Sequence, residues 1–435
     1  MRRLLAAGAA VAALSGHSAA STAQGQHSAP AEHRESVARS GPVLSLTEAA
    51  ALATGAQAGG QPSVGAFERE AIASEQAAIA ARTLPDPEVT VGVQNFPIRG
   101  DNAFSPVDDE MTMYVIGVMR EQVRRSRREA EAAQLRAEAV VSRTEGTAQQ
   151  RRITRDVMIA WVDAVEARAK QRLLDRLIAD LRVGLKVMEA GIPTGASTPA
   201  LALQTQAEIA VAEAEQADAR GQEERARAEL ARWIGPAAQR PLPDVLPALE
   251  PPATAVGGDL GAHPHVQVAE AQEEAARRQV DVRRRERRPN LTWSVMLGVR
   301  PKYGEMVSAT VSIPLQISRN RLQNRRIAEA EARANAARLR AEDARREVAG
   351  EYGAALADYR GAEAQLQVLR SQAIPSLEAS FEAAEARYAA NQGDLELPLV
   401  VVRRYVETTI DLVEQQGRRA RAAAELIYLT QGTSR

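Results

Sequence analysis

Cysteine is absent from all 435 residues. That excludes a disulfide framework, a thiolate metal site, a catalytic thiol and lipid attachment at an N-terminal cysteine. Aromatic residues supply only 3% of the chain although hydrophobic residues reach 45%, and Ala, Glu, Gln and Arg make up the balance, a composition suited to long Ala-packed helices. No sign of charge is in excess: 55 basic residues face 56 acidic ones, for a net charge of -1. Such a chain has no global attraction for nucleic acid, which is excluded as a partner. Beyond the N-terminus no apolar run approaches the roughly 18 residues of a membrane helix. If the chain crosses a membrane, it must do so as a closed β-barrel.

The N-terminus has Arg2 and Arg3, an apolar run from Leu4 to Leu14, and small residues through Ser21, Thr22 and Ala23. This layout predicts a signal peptide over 1–23, cleaved after Ala20 or Ala23, and hence export. Residues 24–41 are expected to be polar and disordered.

The two halves of the remainder repeat one another. Gln61-Pro62-Ser63-Val64 opens an Ala-rich helical stretch that ends at Pro87, and His263-Pro264-His265-Val266 opens another ending at Pro289. The separation is 202 residues at both ends, from 61 to 263 and from 87 to 289. Each stretch leads into two strand candidates, about 88–95 and 111–119 in the first half and about 290–299 and 306–314 in the second. In the second pair Leu291, Trp293, Val295, Leu297 and Val299 alternate with polar or small residues, as do Val307, Ala309, Val311 and Ile313. Strands apolar on one side and polar on the other suit a lipid-embedded, water-lined barrel; a soluble two-sided sheet is the other reading.

Long helical runs follow, from about Glu121 to Glu189 and from about Leu315 to Ala390, each able to reach roughly 100 Å. Leu174, Ile178, Leu181, Leu185 and Met188 form a seam in one, and Tyr352, Ala355, Tyr359, Ala362, Leu366 and Leu369 in the other. Such stepping predicts side-by-side helices, with a kink at Pro375. The breaker clusters at 191–198 and 391–397 read as hairpin tips, and 235–260 as a Pro/Gly-rich connector. The first repeat thus spans 42–234 and the second 261–435, mainly α with a small β part of about four strands. Four strands cannot close a barrel, so further copies of the chain must meet their edges.

Leu84-Pro85-Asp86-Pro87-Glu88, Val91-Gly92-Val93-Gln94-Asn95-Phe96-Pro97-Ile98 and Asp109-Glu110-Met111-Thr112-Met113 before Ile116-Gly117-Val118 resemble the TolC family of outer-membrane efflux channels, and within it the branch serving heavy-metal pumps. The resemblance implies a homotrimer: a twelve-stranded barrel in outer-membrane lipid, continued by a periplasmic helical tunnel whose tips meet an adaptor protein and an inner-membrane pump. It puts the loops Phe96–Glu110 and Arg300–Glu305 outside. Relatives often carry a proline where the second strand meets the long helix; Pro314 fills that place, but Met119 to Val123 has none.

No catalytic constellation stands out, so the chain reads as a non-enzyme without a cofactor or a resident metal. His17, His27 and His33 fall in the N-terminal segments, and His263 and His265 precede a helix, where capping outweighs metal binding. Met111, Met113, Met119, Met296 and Met306 lie in or beside the strands with mixed parities, which predicts ordinary barrel packing rather than a metal path. Glu382, Glu385, Asp394 and Glu396 are candidate tunnel or gate carboxylates, since a three-fold axis turns one inward carboxylate into a ring that attracts cations; Arg387 could instead pair with them. Gly191, Pro193, Thr194, Gly195, Asn391, Gln392 and Gly393 are the candidate adaptor-contacting tips. Basic clusters at Arg124, Arg125, Arg127 and Arg128, and at Arg283 to Arg285, Arg287 and Arg288, are expected at the periplasmic rim of the barrel or on solvated helix faces. The expected function is a passive exit channel for heavy-metal cations, with drugs or other small molecules as alternative cargo. An exported coiled-coil adaptor without a pore is the competing class.

Overall fold

The computed structural model describes residues 41–55, 61–251, 260–390 and 396–430. The expected signal peptide, nearly all of 24–41 and the residues Asn391, Gln392, Gly393 and Asp394 lie outside the described residues. In chain order the elements are α1 (Leu46–Ala53), α2 (Pro62–Arg82), β1 (Glu88–Gln94), β2 (Met113–Gln122), α3 (Arg125–Gly191), α4 (Pro199–Ile234), α5 (Pro264–Arg285), β3 (Leu291–Val299), β4 (Met306–Ser312), α6 (Gln323–Val368), α7 (Ile374–Ala389) and α8 (Glu396–Thr430). Among the described residues no helix is long and apolar enough to cross a membrane.

Helices α2 and α5 both begin at a proline, whose fixed φ and missing N–H suit the first helical turn. The strands form one antiparallel sheet in the order β1-β2-β3-β4. Its central pairing joins the two halves of the chain, Tyr114 opposite Val299 through Gln122 opposite Leu291. Strand β2 therefore runs beyond the expected end at Met119. Arg120, Glu121 and Gln122 break the apolar pattern, but their backbone groups still find partners on β3.

Helix α3 has 67 residues, about 100 Å, and the other long elements gather along it: α2, α4, α5 and α8 all pack against it. The main core surrounds its middle. Trp161 is 1% exposed, packs with Leu44, Ile153, Val157, Leu230 and Leu242, and donates its indole N–H to the Leu44 carbonyl at 3.0 Å. The connector opens with a 3₁₀ turn, Gly235–Gln239, and is irregular from there to residue 251, yet Ala238, Leu242 and Leu246 are buried in this core. Arg240 fastens it by a two-pronged contact to Glu48, at 2.7 and 3.1 Å. Further along α3, the expected seam residues Leu174, Ile178, Leu181 and Met188 are buried.

One expectation about the second long run needs correction. Its helix starts at Gln323 and not near Leu315, because Pro314 cannot donate to a ladder or helix bond and the chain turns irregularly from Ile313 to Leu322. At the other end the break before Pro375 is a five-residue π-helical turn, Leu369–Ala373. A proline removes one i→i−4 bond and crowds the preceding turn, and widening that turn relieves the crowding. The first half does without the proline at the strand-to-helix junction: Arg124 is extended, and α3 begins directly after it.

Candidate channel wall and hairpin tip

The strand register sorts the sheet into two faces. On one, Val91, Ile116, Leu297 and Val307 form a cross-strand row, flanked by Val89-Val118-Val295-Ala309 and by Val93-Tyr114-Val299. Val91 and Val307 are 75% and 73% exposed, so this apolar face is uncovered in the single chain. A contiguous exposed patch of that kind marks a lipid or protein contact. The opposite face carries Glu88, Thr90, Gln94, Thr292, Ser294, Ser308, Thr310 and Ser312. Met113, Met119, Met296 and Met306 also fall on this polar face. Their expected mixture of parities is overturned, because parity along separate strands has no common origin until the hydrogen-bond register aligns them. Among the described residues neither edge strand, β1 or β4, has a partner on its outer side.

Arginines stitch the sheet to the helices at its lower rim. Arg120 donates to the Pro85 carbonyl and Arg124 to the Pro289 carbonyl, each at 2.9 Å, and Arg128 donates to the carbonyl of Arg82. Arg127 pairs with Glu131 at 2.8 Å, Arg283 with Glu286 and Arg284 with Glu331, both at 2.9 Å. Arg285, Arg287 and Arg288 are exposed. At the upper rim the two hairpin loops meet: Lys302 pairs with Asp108, and Arg300 donates to the Glu110 carbonyl at 3.2 Å. Thr112, 1% exposed, ties its loop to the Asn95 carbonyl at 3.1 Å and to Asp109 at 3.0 Å.

At the far end of α3 lies the first tip. Gly191 ends the helix, Ile192–Thr194 make a single 3₁₀ turn, and Gly195 takes φ +75°, the left-handed conformation that favours glycine. Thr198 then caps α4, its hydroxyl accepting from the Leu201 N–H at 3.3 Å. Pro193, Thr194 and Gly195 are exposed. On the second hairpin Glu382 and Glu385 are exposed on α7, directly after buried Phe381 and Ala384 respectively, and Glu396 is exposed at the start of α8. No ion pair joins Glu382 or Glu385 to Arg387.

An antiparallel sheet with open edges, one end of a helical shaft and a hairpin tip at the other: these parts have known counterparts. Residues 259–430 match the Outer membrane efflux protein family. Over about nine-tenths of the chain the fold is similar to that of several solved outer-membrane proteins. The outer membrane protein VceC from Vibrio cholerae superposes with a TM-score of 0.72 at 17% identity, covering 89% of this chain and 96% of that one. For CusC, solved in a study of folding and transmembrane channel formation, the values are 0.71, 14%, 89% and 92%. The open state of the Neisseria gonorrhoeae MtrE outer membrane channel gives 0.69, 17%, 89% and 89%. No curated protein sequence matches the chain.

This fold contains a feature that sequence reasoning missed. An alternating chain of charges links α3 to α8: Asp163 to Arg421 at 2.6 Å, Arg421 to Glu166 at 2.8 Å, Glu166 to Lys170 at 3.2 Å, and Lys170 to Glu414 at 2.6 Å. Burial works to lower the Lys170 pKa, but the carboxylates of Glu414 and Glu166 outweigh it and raise it above the ordinary lysine value. Glu166 sits among Val162, Ala164, Val165 and Ala167 and is only 8% exposed; a carboxylate inside such an apolar run was the available signal. Asp163, Glu166 and Arg421 border a polar cleft of about 220 Å³ that also touches Gln222, Arg225 and Glu229 of α4.

His263 behaves as the sequence suggested. It is the N-cap of α5, its Nδ1 accepting from the His265 N–H at 3.3 Å. The ring is 1% exposed and meets Tyr428 edge-on at 4.9 Å. Burial, reinforced by His265, Arg151 and Arg155, lowers its pKa to about 4. His265 points elsewhere, to Glu347 at 3.2 Å. Among the described residues no group of His, Cys, Asp and Glu could hold a metal ion.

Proposed function

We propose that the chain is one subunit of a homotrimeric exit duct in the bacterial outer membrane, passively conducting heavy-metal cations delivered by an inner-membrane pump and a periplasmic adaptor. The observation that carries this reading is the four-stranded sheet with one apolar face, one polar face and two open edges. Three such sheets joined edge to edge would close a barrel whose apolar side meets lipid and whose polar side meets water. The helices then extend the duct into the periplasm, and α3 alone gives it about 100 Å. No bond is made or broken; energy comes from the pump. The exposed tip at Pro193, Thr194 and Gly195 would meet the adaptor, together with the second tip. Glu382, Glu385 and Glu396 would present three-fold rings of carboxylate to a passing cation. Metal cations as cargo rest on the resemblance to the heavy-metal branch and on these acidic positions.

Single-channel conductance of detergent-extracted protein in a planar bilayer tests the reading. Cation-preferring pores are expected, with weaker selectivity in a Glu382→Gln, Glu385→Gln, Glu396→Gln triple variant. Unchanged selectivity would remove the acidic rings and keep the duct. A water-soluble, non-conducting monomer would overturn it.

A further inference from the structure

The four strand methionines are distributed down the polar face in an orderly way. Reading the register from the loop end, the first row pairs Gln94 with Met113 and the second holds Gly92, Val115, Gly298 and Met306. Thr90, Gly117, Met296 and Ser308 make the third, and Glu88, Met119, Ser294 and Thr310 the fourth. Each of four successive rows thus holds one methionine. Rows on one face are about 7 Å apart, and diagonal neighbours on adjacent strands lie about 7–8 Å apart, within reach of a long side chain.

Glycines make room for two of these side chains. Met296 lies over Gly117, where a Cβ could not be placed without a clash. The Met113 sulfur lies 2.7 Å from where a Cβ on Gly298 would stand, and Gly298 is the register partner of Met306. The Met113 thioether thereby lies over Gly298, on the strand between its own and that of Met306. The opposite, apolar face of the same strands carries no methionine. Methionine is as apolar as the valines and leucines there, so bulk packing against lipid would have used it on that face too. Half of the eight methionines in the chain stand on the face that the duct reading turns toward water.

We propose that Met113, Met306, Met296 and Met119 form a thioether ladder on the barrel wall that binds a soft monovalent cation, silver(I) or copper(I), in preference to a divalent ion such as zinc(II). The proposal rests on the duct reading, which makes this face the lumen. Thioether sulfur is a soft, neutral donor, suited to Cu(I) and poor for harder ions. The remaining side chains of the upper three rows are Gln94, Val115, Thr90 and Ser308, and carboxylates enter only lower down, with Glu88 in the fourth row and Glu121 below it. A series of weak, equivalent sites lets an ion bind and leave in steps, as conduction requires.

The test is equilibrium binding of silver(I) and zinc(II) to the purified full-length protein in detergent and nitrate buffer. Wild type is compared with a variant carrying Met113→Leu, Met119→Leu, Met296→Leu and Met306→Leu; leucine conserves volume and removes sulfur. Silver(I) affinity is expected to fall at least tenfold in the variant, with zinc(II) binding unchanged. Because four changes could disturb assembly, Met306→Leu alone, at an exposed position, should give a smaller loss in the same direction. Conductance is measured on the same preparations. Pores that form in both proteins with equal silver(I) affinity would overturn the ladder and leave the duct standing. A wild type that is soluble and forms no pores would overturn the duct reading and the ladder together.

Discussion

The carboxylate of Glu166 occupies the space that a side chain on Gly417 would need: a Cβ built there would run into Oε2. Glu166 belongs to α3 and Gly417 to α8. The missing side chain lets Glu166 lie between Lys170 and Arg421 while only 8% exposed. Gly417→Ala is therefore expected to displace the carboxylate and break the charge chain, at a cost of about 3 kcal/mol. Thermal unfolding should register the loss. Gly361→Ala, in α6 with nothing within 4 Å of the new Cβ, should be neutral or stabilising by up to about 1 kcal/mol. Equal behaviour of the two variants would discount the Glu166 contact.

His263 makes the fold sensitive to acid. Its pKa is about 4 in the folded chain against an ordinary 6.5 when unfolded. Between those values the unfolded chain holds a proton that the folded one does not, so stability falls as pH drops through this window and is full above it. The expected loss is roughly 3 kcal/mol between pH 6.5 and 4. His263→Asn keeps a capping side chain and should flatten this part of a plot of denaturation midpoint against pH. An unchanged slope would assign the acid sensitivity to other groups.

The two faces of the sheet should tolerate charge differently. Ile116→Arg, in the middle of the apolar face, is expected to cost about 2–4 kcal/mol of stability in the bilayer and to reduce heat-modifiable trimer in the outer-membrane fraction. Thr90→Arg, on the polar face of neighbouring β1, should assemble normally. Equal tolerance would mean that neither face meets lipid.

Trp161 anchors the N-terminal segment to α3 through one hydrogen bond to Leu44. Trp161→Phe keeps much of the packing but leaves the buried Leu44 carbonyl without its donor, and about 1–3 kcal/mol should be lost. The midpoint of urea unfolding measures it; a loss below about 0.5 kcal/mol would show that the carbonyl finds another donor.

Elements whose signal is periodic along the chain were legible in the sequence. Leu174, Ile178, Leu181 and Met188 are buried as their spacing predicts, and β3 carries Leu291 to Val299 on one face as its alternation predicts. The end of β2 and the start of α6 were not, because a charged strand residue and an exposed apolar one, such as Ile317 at 89% exposure, contradict the pattern that marks an element. In the candidate site, the glycine and proline chemistry of the first tip could be read from Gly191 to Thr198. Of the acidic candidates, Glu382, Glu385 and Glu396 are exposed, and Asp394 is outside the described residues.

Local chemistry by itself determined where most helices and strands lie and which strand face is apolar. Backbone propensity, proline geometry and side-chain alternation act within a few residues, so one sequence suffices to read them. Only the tertiary structure decided what lies opposite what. Pairing β2 with β3 put four methionines on one face, and packing α8 on α3 brought Gly417 to Glu166, 251 positions away along the chain. Register and helix packing fix distances between residues remote in sequence, and neither quantity is carried by any local pattern.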